Sequence, residues 1–490
     1  MIKIIGLGPG AKEALTVGAL MLLETSENIF FRTEIHPTVD FIKEKNIRFE
    51  TYDEYYNKYD SFDDVYMNIA LDLIGKQKEN LNKDFVYAVP GHPLVAEKSV
   101  ANIMKLCVEN NIQYEILPAV SFIDAMMDRL EIDPIEGLKV IDAFDIQDQI
   151  LDKRIGTIIT QVYNPFIASE VKLKLLECYN DETEIIYVRA AGVKDVESIR
   201  KIPLYELDMQ EDIDYLTSIY IPRDINNKKD IYDLIQIVDV LRSEDGCPWD
   251  AEQTHKSLRN AIIEESYEVA DAIDKEDDNA LIEELGDVLL HVIFHAAIGK
   301  EECYFELNDI VDSICNKMIF RHPHVFKGES VENSEEVVEN WDELKKEEKG
   351  FETTTEEALA VANALPALIR ADKIQKKIAK AGFDWKEDSV EEAAKKVSEE
   401  LKEVLDVYKS GEVDRIKEEV GDLFFACVNV SRFLNIDEEE ALNLASAKFI
   451  KRFSHIENLC IEKNKNMQTM TLQELDELWN EAKKLENSFK

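Results

Sequence analysis

Glu264-Glu265-Ser266-Tyr267-Glu268 is followed by Glu283-Glu284-Leu285-Gly286-Asp287, and both stretches return later in the chain. They return as Glu399-Glu400-Leu401-Lys402-Glu403 and Glu418-Glu419-Val420-Gly421-Asp422, each at an offset of 135 residues (399 − 264 and 422 − 287). The apolar run behind the second motif keeps register too, Val288-Leu289-Leu290 against Leu423-Phe424-Phe425. One offset through two motifs and the segment behind them predicts two copies of one module. The surrounding patterns Leu258–Ile273, Asn279–Ile298, Leu365–Lys380, Ser389–Tyr408 and Val413–Leu434 have a helical period, so the module is all-α.

On a helix, Glu265 and Glu268 are i, i+3 neighbours, as are Glu284 and Asp287. A turn between Asp274 and Asn279 would fold one helix back on the other, with Gly286 permitting close approach. Two carboxylates then face two others, a repulsive set that raises its own pKa values. A hard divalent cation, Mg²⁺ or Mn²⁺, resolves the conflict. A single EExxE in so acidic a chain reads as solvated surface; its repetition together with ExxD points to metal.

A Lys and an Arg four apart follow each acidic set, Lys317 with Arg321 and Lys448 with Arg452. That spacing puts both cations on one helical face, as phosphate oxygens require. Lys256 and Arg259 precede the first set, and His322-Pro323 must end the helix at Arg321. His291 and His295, also i, i+4, lack repeat equivalents (Ala426, Val430) and read as packing residues. His322 and His324 read as structural or dimer-contact residues.

Before Pro222 the sequence has a different character. Nine of the twelve prolines lie before residue 223, Pro222 included, with short β-branched runs at Ile2–Gly6, Phe85–Pro90, Tyr114–Pro118, Thr157–Thr160 and Glu184–Val188. Helical patterns such as Glu13–Glu24 and Phe122–Leu130 separate them, which predicts an α/β part with mostly parallel sheets. Pro222–Lys229 reads as a linker, and the Glu/Lys-rich stretch 327–356 as a partly helical connector. The expected organisation is multidomain: an α/β domain over 1–222 and helical modules over 233–335 and 360–490.

The chain has 490 residues, 45% hydrophobic and 32% charged, with 57 Lys and Arg against 101 Asp and Glu, net −44. That excess argues against a nucleic-acid partner. Seven cysteines without a CxxC pair give neither a zinc spacing nor a disulfide framework. Without a leader-like N-terminus or an apolar run of about 18 residues, a soluble, cytoplasmic protein without a membrane partner is expected.

The paired EExxE and ExxD motifs resemble those of MazG-type nucleoside triphosphate pyrophosphohydrolases. Gly246-Cys247-Pro248-Trp249-Asp250, Arg321-His322-Pro323-His324-Val325-Phe326 and Leu365-Pro366-Ala367-Leu368 are similar to segments of that family, as is Gly382-Phe383-Asp384-Trp385. The resemblance spans roughly 233–490. It implies a helical tandem, usually dimeric, that cleaves nucleoside triphosphates to monophosphate and pyrophosphate with Mg²⁺. It makes Glu265, Glu268, Glu284 and Asp287, and in the second copy Glu400, Glu403, Glu419 and Asp422, the metal ligands. Glu264 and Glu399 would orient or deprotonate water, and the two Lys/Arg pairs would hold phosphate.

Gly6-Leu7-Gly8-Pro9-Gly10 follows the first strand, where glycines let backbone approach a ligand. With Val89-Pro90-Gly91-His92-Pro93, Leu117-Pro118-Ala119-Val120-Ser121 and Tyr187-Val188-Arg189-Ala190-Ala191-Gly192, it is similar to the tetrapyrrole methylases over about 1–222. That resemblance implies S-adenosylmethionine at Gly8, Pro9, Gly91, His92 and Pro93, and a tetrapyrrole acceptor. The chain departs from it at His92, where many members carry Asp, and at Ala119, where a glycine stands. Two rival readings remain: a methyltransferase regulated by the helical half, and a nucleotide- or tetrapyrrole-sensing adaptor without turnover.

Overall fold

The computed structural model describes residues 1–488 except 329, 332, 386–389 and 464; of 335, 338, 339, 342 and 485–488 only the backbone is described. The chain forms two compact units, Met1–Tyr304 and Phe305–Lys490. The division falls inside the 233–335 span expected for the first helical module.

The first unit begins with a fully parallel sheet of β1 (Ile2–Gly6), β2 (Ile29–Phe31), β3 (Glu50–Thr51), β4 (Phe85–Val89) and β5 (Tyr114–Ile116), in the order β3-β2-β4-β1-β5. Helices cover both faces, which is why β4 is apolar throughout rather than alternating. Its Phe85, Tyr87 and Val89 pack with Ile69, Leu73 and Val100, while Val86 and Ala88 pack with Leu23, Phe31 and Ile42 on the other face. Each such buried aliphatic side chain contributes about 1.5–3 kcal/mol.

The second sheet is β6 (Leu138–Asp142), β7 (Gly156–Thr160), β8 (Glu184–Arg189), β9 (Ser198–Pro203) and β10 (Thr217–Ile221), ordered β6-β7-β10-β8-β9. Only β6–β7 is parallel; the other three pairings are antiparallel. The expectation of mostly parallel sheets therefore holds for the first sheet and fails for the second. Between β8 and β9 lies only a short turn with Gly192 and Asp195 at positive φ, too short for a crossover helix, so the strands must pair antiparallel.

Residues 222–229 carry no helix or strand, yet they are not a free linker. The buried ammonium of Lys153 donates to the carbonyls of Asn227 and Lys228 and to Asp233 Oδ2 at 2.6 Å. Arg154 forks onto Asp230 at 2.8 and 3.1 Å. Asp230 and Asp233 form the capping box that opens the helix Ile231–Leu241, so the clasp and the cap share one pair of carboxylates.

The helices Arg259–Asp274 and Asp278–Glu301 follow, joined by a tight turn in which Glu276 has φ +54°. Asp277 caps the second, accepting from the N–H groups of Asn279 and Ala280 at 3.1 Å. The second unit contains the equivalent pair, Val390–Val407 and Val413–Phe433, with helices Leu307–Arg321, Ser334–Lys349, Ala367–Lys380, Glu438–Glu462 and Leu472–Ser488. The first residue of the expected Ser389–Tyr408 segment lies outside the described residues. No described helix is long and apolar enough to cross a membrane, and the seven cysteines are free thiols.

Candidate metal centres and the ligand clefts

The paired helices of the first unit bring Glu265, Glu268 and Glu284 together, one oxygen of each within 4.8 Å of the others. Partial burial, and then the neighbouring carboxylates, push the Glu265 carboxyl above its ordinary range; Asp287 and Glu284 both contribute. Glu284 rises for the same reasons, burial first and Glu268 next. Asp287 is outside the tight triad but within its field. Glu264 is exposed beside it, where it can meet water. The role expected for Gly286 needs correction: a Cβ there would meet nothing within 4 Å, so no close helix approach depends on it.

In the second unit the triad is Glu400, Glu419 and Asp422, again within 4.8 Å. Glu403 is not one of the three; it hydrogen-bonds Glu419, whose carboxyl is raised by burial and then by that partner. The copies thus share two equivalent positions, Glu265/Glu400 and Glu284/Glu419, and differ in the third. Lys396 reaches both Glu400, at 2.7 Å, and Glu399, at 3.0 Å, so the expected water-orienting Glu399 stands beside an ammonium.

These oxygens fit a hard divalent cation. An octahedral Mg²⁺ with oxygens at about 2.1 Å sets cis ligands roughly 3.0 Å apart and trans ligands roughly 4.2 Å apart, so each triad draws inward when it takes up the ion. Raised carboxyl pKa values are what a cation-binding set shows without its cation.

The basic pairs take different environments. Arg321 is buried and held by Glu348 in the second unit, Nη2 to Oε2 at 2.6 Å, whereas the first triad belongs to the first unit. Lys317 is on the same Leu307–Arg321 helix. Lys448 and Arg452 stand on the helix Glu438–Glu462, with the Arg452 guanidinium 5.7 Å from the Trp479 ring centre.

Two neighbours of the acidic sets are not assigned to them by sequence, which reads His291 as a packing residue and passes over Lys396. His291 Nε2 is 4.0 Å from Glu265 Oε1, so its packing role is combined with a place at the cluster edge. His295 pairs with His255, Nδ1 to Nδ1 at 2.8 Å. Lys396 is the other. A repeat comparison hides both, since their counterparts are Ala426 and Ala261.

In the α/β part, Gly8 and Gly91 exchange backbone hydrogen bonds at 3.3 and 2.9 Å, both at positive φ. Gly6 lies beneath them; a Cβ on it would sit 2.1 Å from the Gly91 carbonyl oxygen. Pro9 and Gly91 line a pocket of 170 Å³, and Pro93 a larger cavity of 1610 Å³. Neither is lined by Gly8 or His92; Gly8 forms the bridge, and His92 Nδ1 accepts from the Leu94 N–H at 3.0 Å.

Residues 253–326 and 388–456 match the MazG nucleotide pyrophosphohydrolase domain, and residues 1–208 match the Tetrapyrrole (Corrin/Porphyrin) Methylases. The chain belongs to the MazG family, as a tandem that also carries a tetrapyrrole methylase domain. It is 44% identical over 493 residues to the uncharacterized protein YabN of Bacillus subtilis (strain 168), covering 99% of each chain. It is 42% identical over 252 residues to the nucleoside triphosphate pyrophosphohydrolase/pyrophosphatase MazG of Thermotoga maritima, 51% of this chain and 94% of that one. With the nucleoside triphosphate pyrophosphohydrolase of Escherichia coli (strain K12) the identity is 41% over 256 residues, 52% and 97% of the two chains.

Proposed function

We propose that the chain hydrolyses nucleoside triphosphates to nucleoside monophosphates and pyrophosphate in the cytoplasm. The observation that carries the reading is the pair of carboxylate triads, alike at Glu265/Glu400 and Glu284/Glu419, which the paired helices gather in both copies as Mg²⁺ or Mn²⁺ requires. Glu265, Glu268, Glu284 and Asp287 would hold the ion in one copy, and Glu400, Glu403, Glu419 and Asp422 in the other. The ion supplies charge neutralisation at the polyphosphate. Glu264 and Glu399 would aim water at the α-phosphorus, while Lys448 and Arg452 would take the departing pyrophosphate. Exposed apolar side chains on the helices of the second unit, Phe424, Leu442, Leu444, Phe449 and Ile450, favour a homodimer of this region.

The α/β part supports a second reading, binding of S-adenosylmethionine at the Gly8–Gly91 bridge and its 170 Å³ pocket. Both readings are tested on the full-length protein. Monophosphate and pyrophosphate are quantified over a panel of (d)NTPs with and without Mg²⁺, and S-adenosylhomocysteine binding is measured by calorimetry. Hydrolysis that persists in excess EDTA defeats the metal assignment.

A further inference from the structure

The 1610 Å³ cavity of the α/β part shares Arg32, His36, Glu97 and Tyr163 with the smaller pocket, so a ligand in one adjoins a ligand in the other. Its lining carries three cationic side chains, Arg32, Lys98 and Lys105, against five carboxylates, Asp53, Asp63, Glu97, Asp142 and Asp145. Two of the cations are already matched. Arg32 lies 3.0 Å from the buried Glu97, and Lys98 lies 2.6 Å from Asp63. His36 adds no charge at neutral pH, because burial and then the Arg32 charge lower its pKa to about 4. The lining is left negative on balance. Burial raises the Asp142 carboxyl, as it does for a carboxylate without a cationic partner.

The rest of the wall is aromatic. Tyr56, Phe62 and Tyr66 touch one another, with ring centres 6.2–6.3 Å apart. Phe144 meets Tyr163 edge to face at 5.7 Å. Phe62, Phe144 and Tyr215 are each at least 60% exposed, an apolar surface open to a flat body. Aromatic faces and unmatched carboxylates both attract a cation, and both disfavour an anion.

We propose that this cavity receives a flat aromatic ligand of positive charge and rejects polycarboxylates of the same size. The inference rests on the reading that the α/β part binds small molecules, and it sets the charge class that the second ligand must have. A polycarboxylate would bring its charges to a lining that offers Lys105 against Asp53, Asp142 and Asp145. A cation instead finds Asp142 and Asp145 together beside Phe144.

The test compares two porphyrins on the full-length protein at 0.15 M salt, with S-adenosylhomocysteine present and absent. One is the tetracationic tetrakis(N-methylpyridyl)porphyrin, the other the octacarboxylate uroporphyrin III. The tetracation is expected to bind at least about tenfold tighter, as reversing the sign of a close charge contact requires. Asp142→Asn with Asp145→Asn should reduce that preference about tenfold while the Asn side chain still caps the turn at Phe144. Ala101→Trp, which fills the cavity, should abolish tight binding. Tighter binding of uroporphyrin, no binding of either probe, or tetracation binding indifferent to all three substitutions overturns the proposal, the last because it marks attraction to the acidic surface alone. S-adenosylhomocysteine binding measured by itself shows separately whether the cofactor reading stands.

Discussion

The ammonium of Lys396 lies 2.7 Å from a carboxylate oxygen of Glu400, and the residue one repeat earlier is Ala261. The two acidic clusters therefore differ in charge by one cation at their most buried ligand. Glu400, and after it Glu399, hold Lys396 firmly protonated.

That difference predicts unequal metal affinity. An ammonium near a half-solvated cation costs about 1 kcal/mol or more, so Lys396→Ala should tighten the second site roughly tenfold. Mn²⁺ titration followed by EPR, in a Glu268→Gln background, reads this site alone. Unchanged or weaker Mn²⁺ binding would mean that Lys396 swings clear of the metal.

The second copy is expected to carry most of the hydrolysis. Arg321 is committed to Glu348, whereas Lys448 and Arg452 share an uninterrupted helix. Glu403→Gln should lower kcat by about two orders of magnitude, while Glu268→Gln leaves a substantial part. The reverse pattern would assign turnover to the first copy.

The clasp at Asp233 has a defined pH signature. Hydrogen bonding from Lys153, foremost, holds the Asp233 carboxyl down at about 2. A carboxyl lowered on folding contributes stability that is full above its unfolded pKa, near 4, and is lost as pH falls through its folded value. Asp233→Asn should thus melt below the parent at pH 7, with the gap closing between about pH 4 and pH 2. A gap that does not depend on pH would show that shape, not charge, holds the clasp.

Gly6→Ala is expected to destabilise the α/β part by about 1–3 kcal/mol, because the new methyl meets the Gly91 carbonyl at 2.1 Å. Urea unfolding should move to a lower midpoint and S-adenosylhomocysteine binding should weaken. Pyrophosphate release should stay near the parental rate. Equal loss of both activities would tie the halves together more closely than the separate clefts imply.

The helical half was legible because its repeat samples one pattern twice: Leu258–Ile273 and Val413–Leu434 fall within one residue of the observed helices at each end. The strands were legible only where β-branched runs were long. β2 has three residues and β3 two, below the length at which period 2 separates from period 3.6. β9 carries Arg200 and Lys201 and ends on Pro203, so its composition suggests a loop; its place comes from pairing with β8. At the acidic sites, duplication revealed what the copies share and concealed what they do not, which is why Lys396 emerged only in three dimensions and His291, read as packing, proved to stand beside Glu265.

The clasp around Lys153 also bears on how such a fusion can be taken apart. Composition puts the seam near Pro222, but the acceptors for this buried ammonium lie at 227, 228 and 233. An α/β half ending at the seam would keep the lysine and forfeit every one of those acceptors; one ending after Leu241 would keep the whole set. For recombinant expression of the α/β half the workable breakpoint is one helix further along than the change in composition suggests, while the helical half needs that same helix, whose Val238 is buried with Leu258, Ile293 and Phe294.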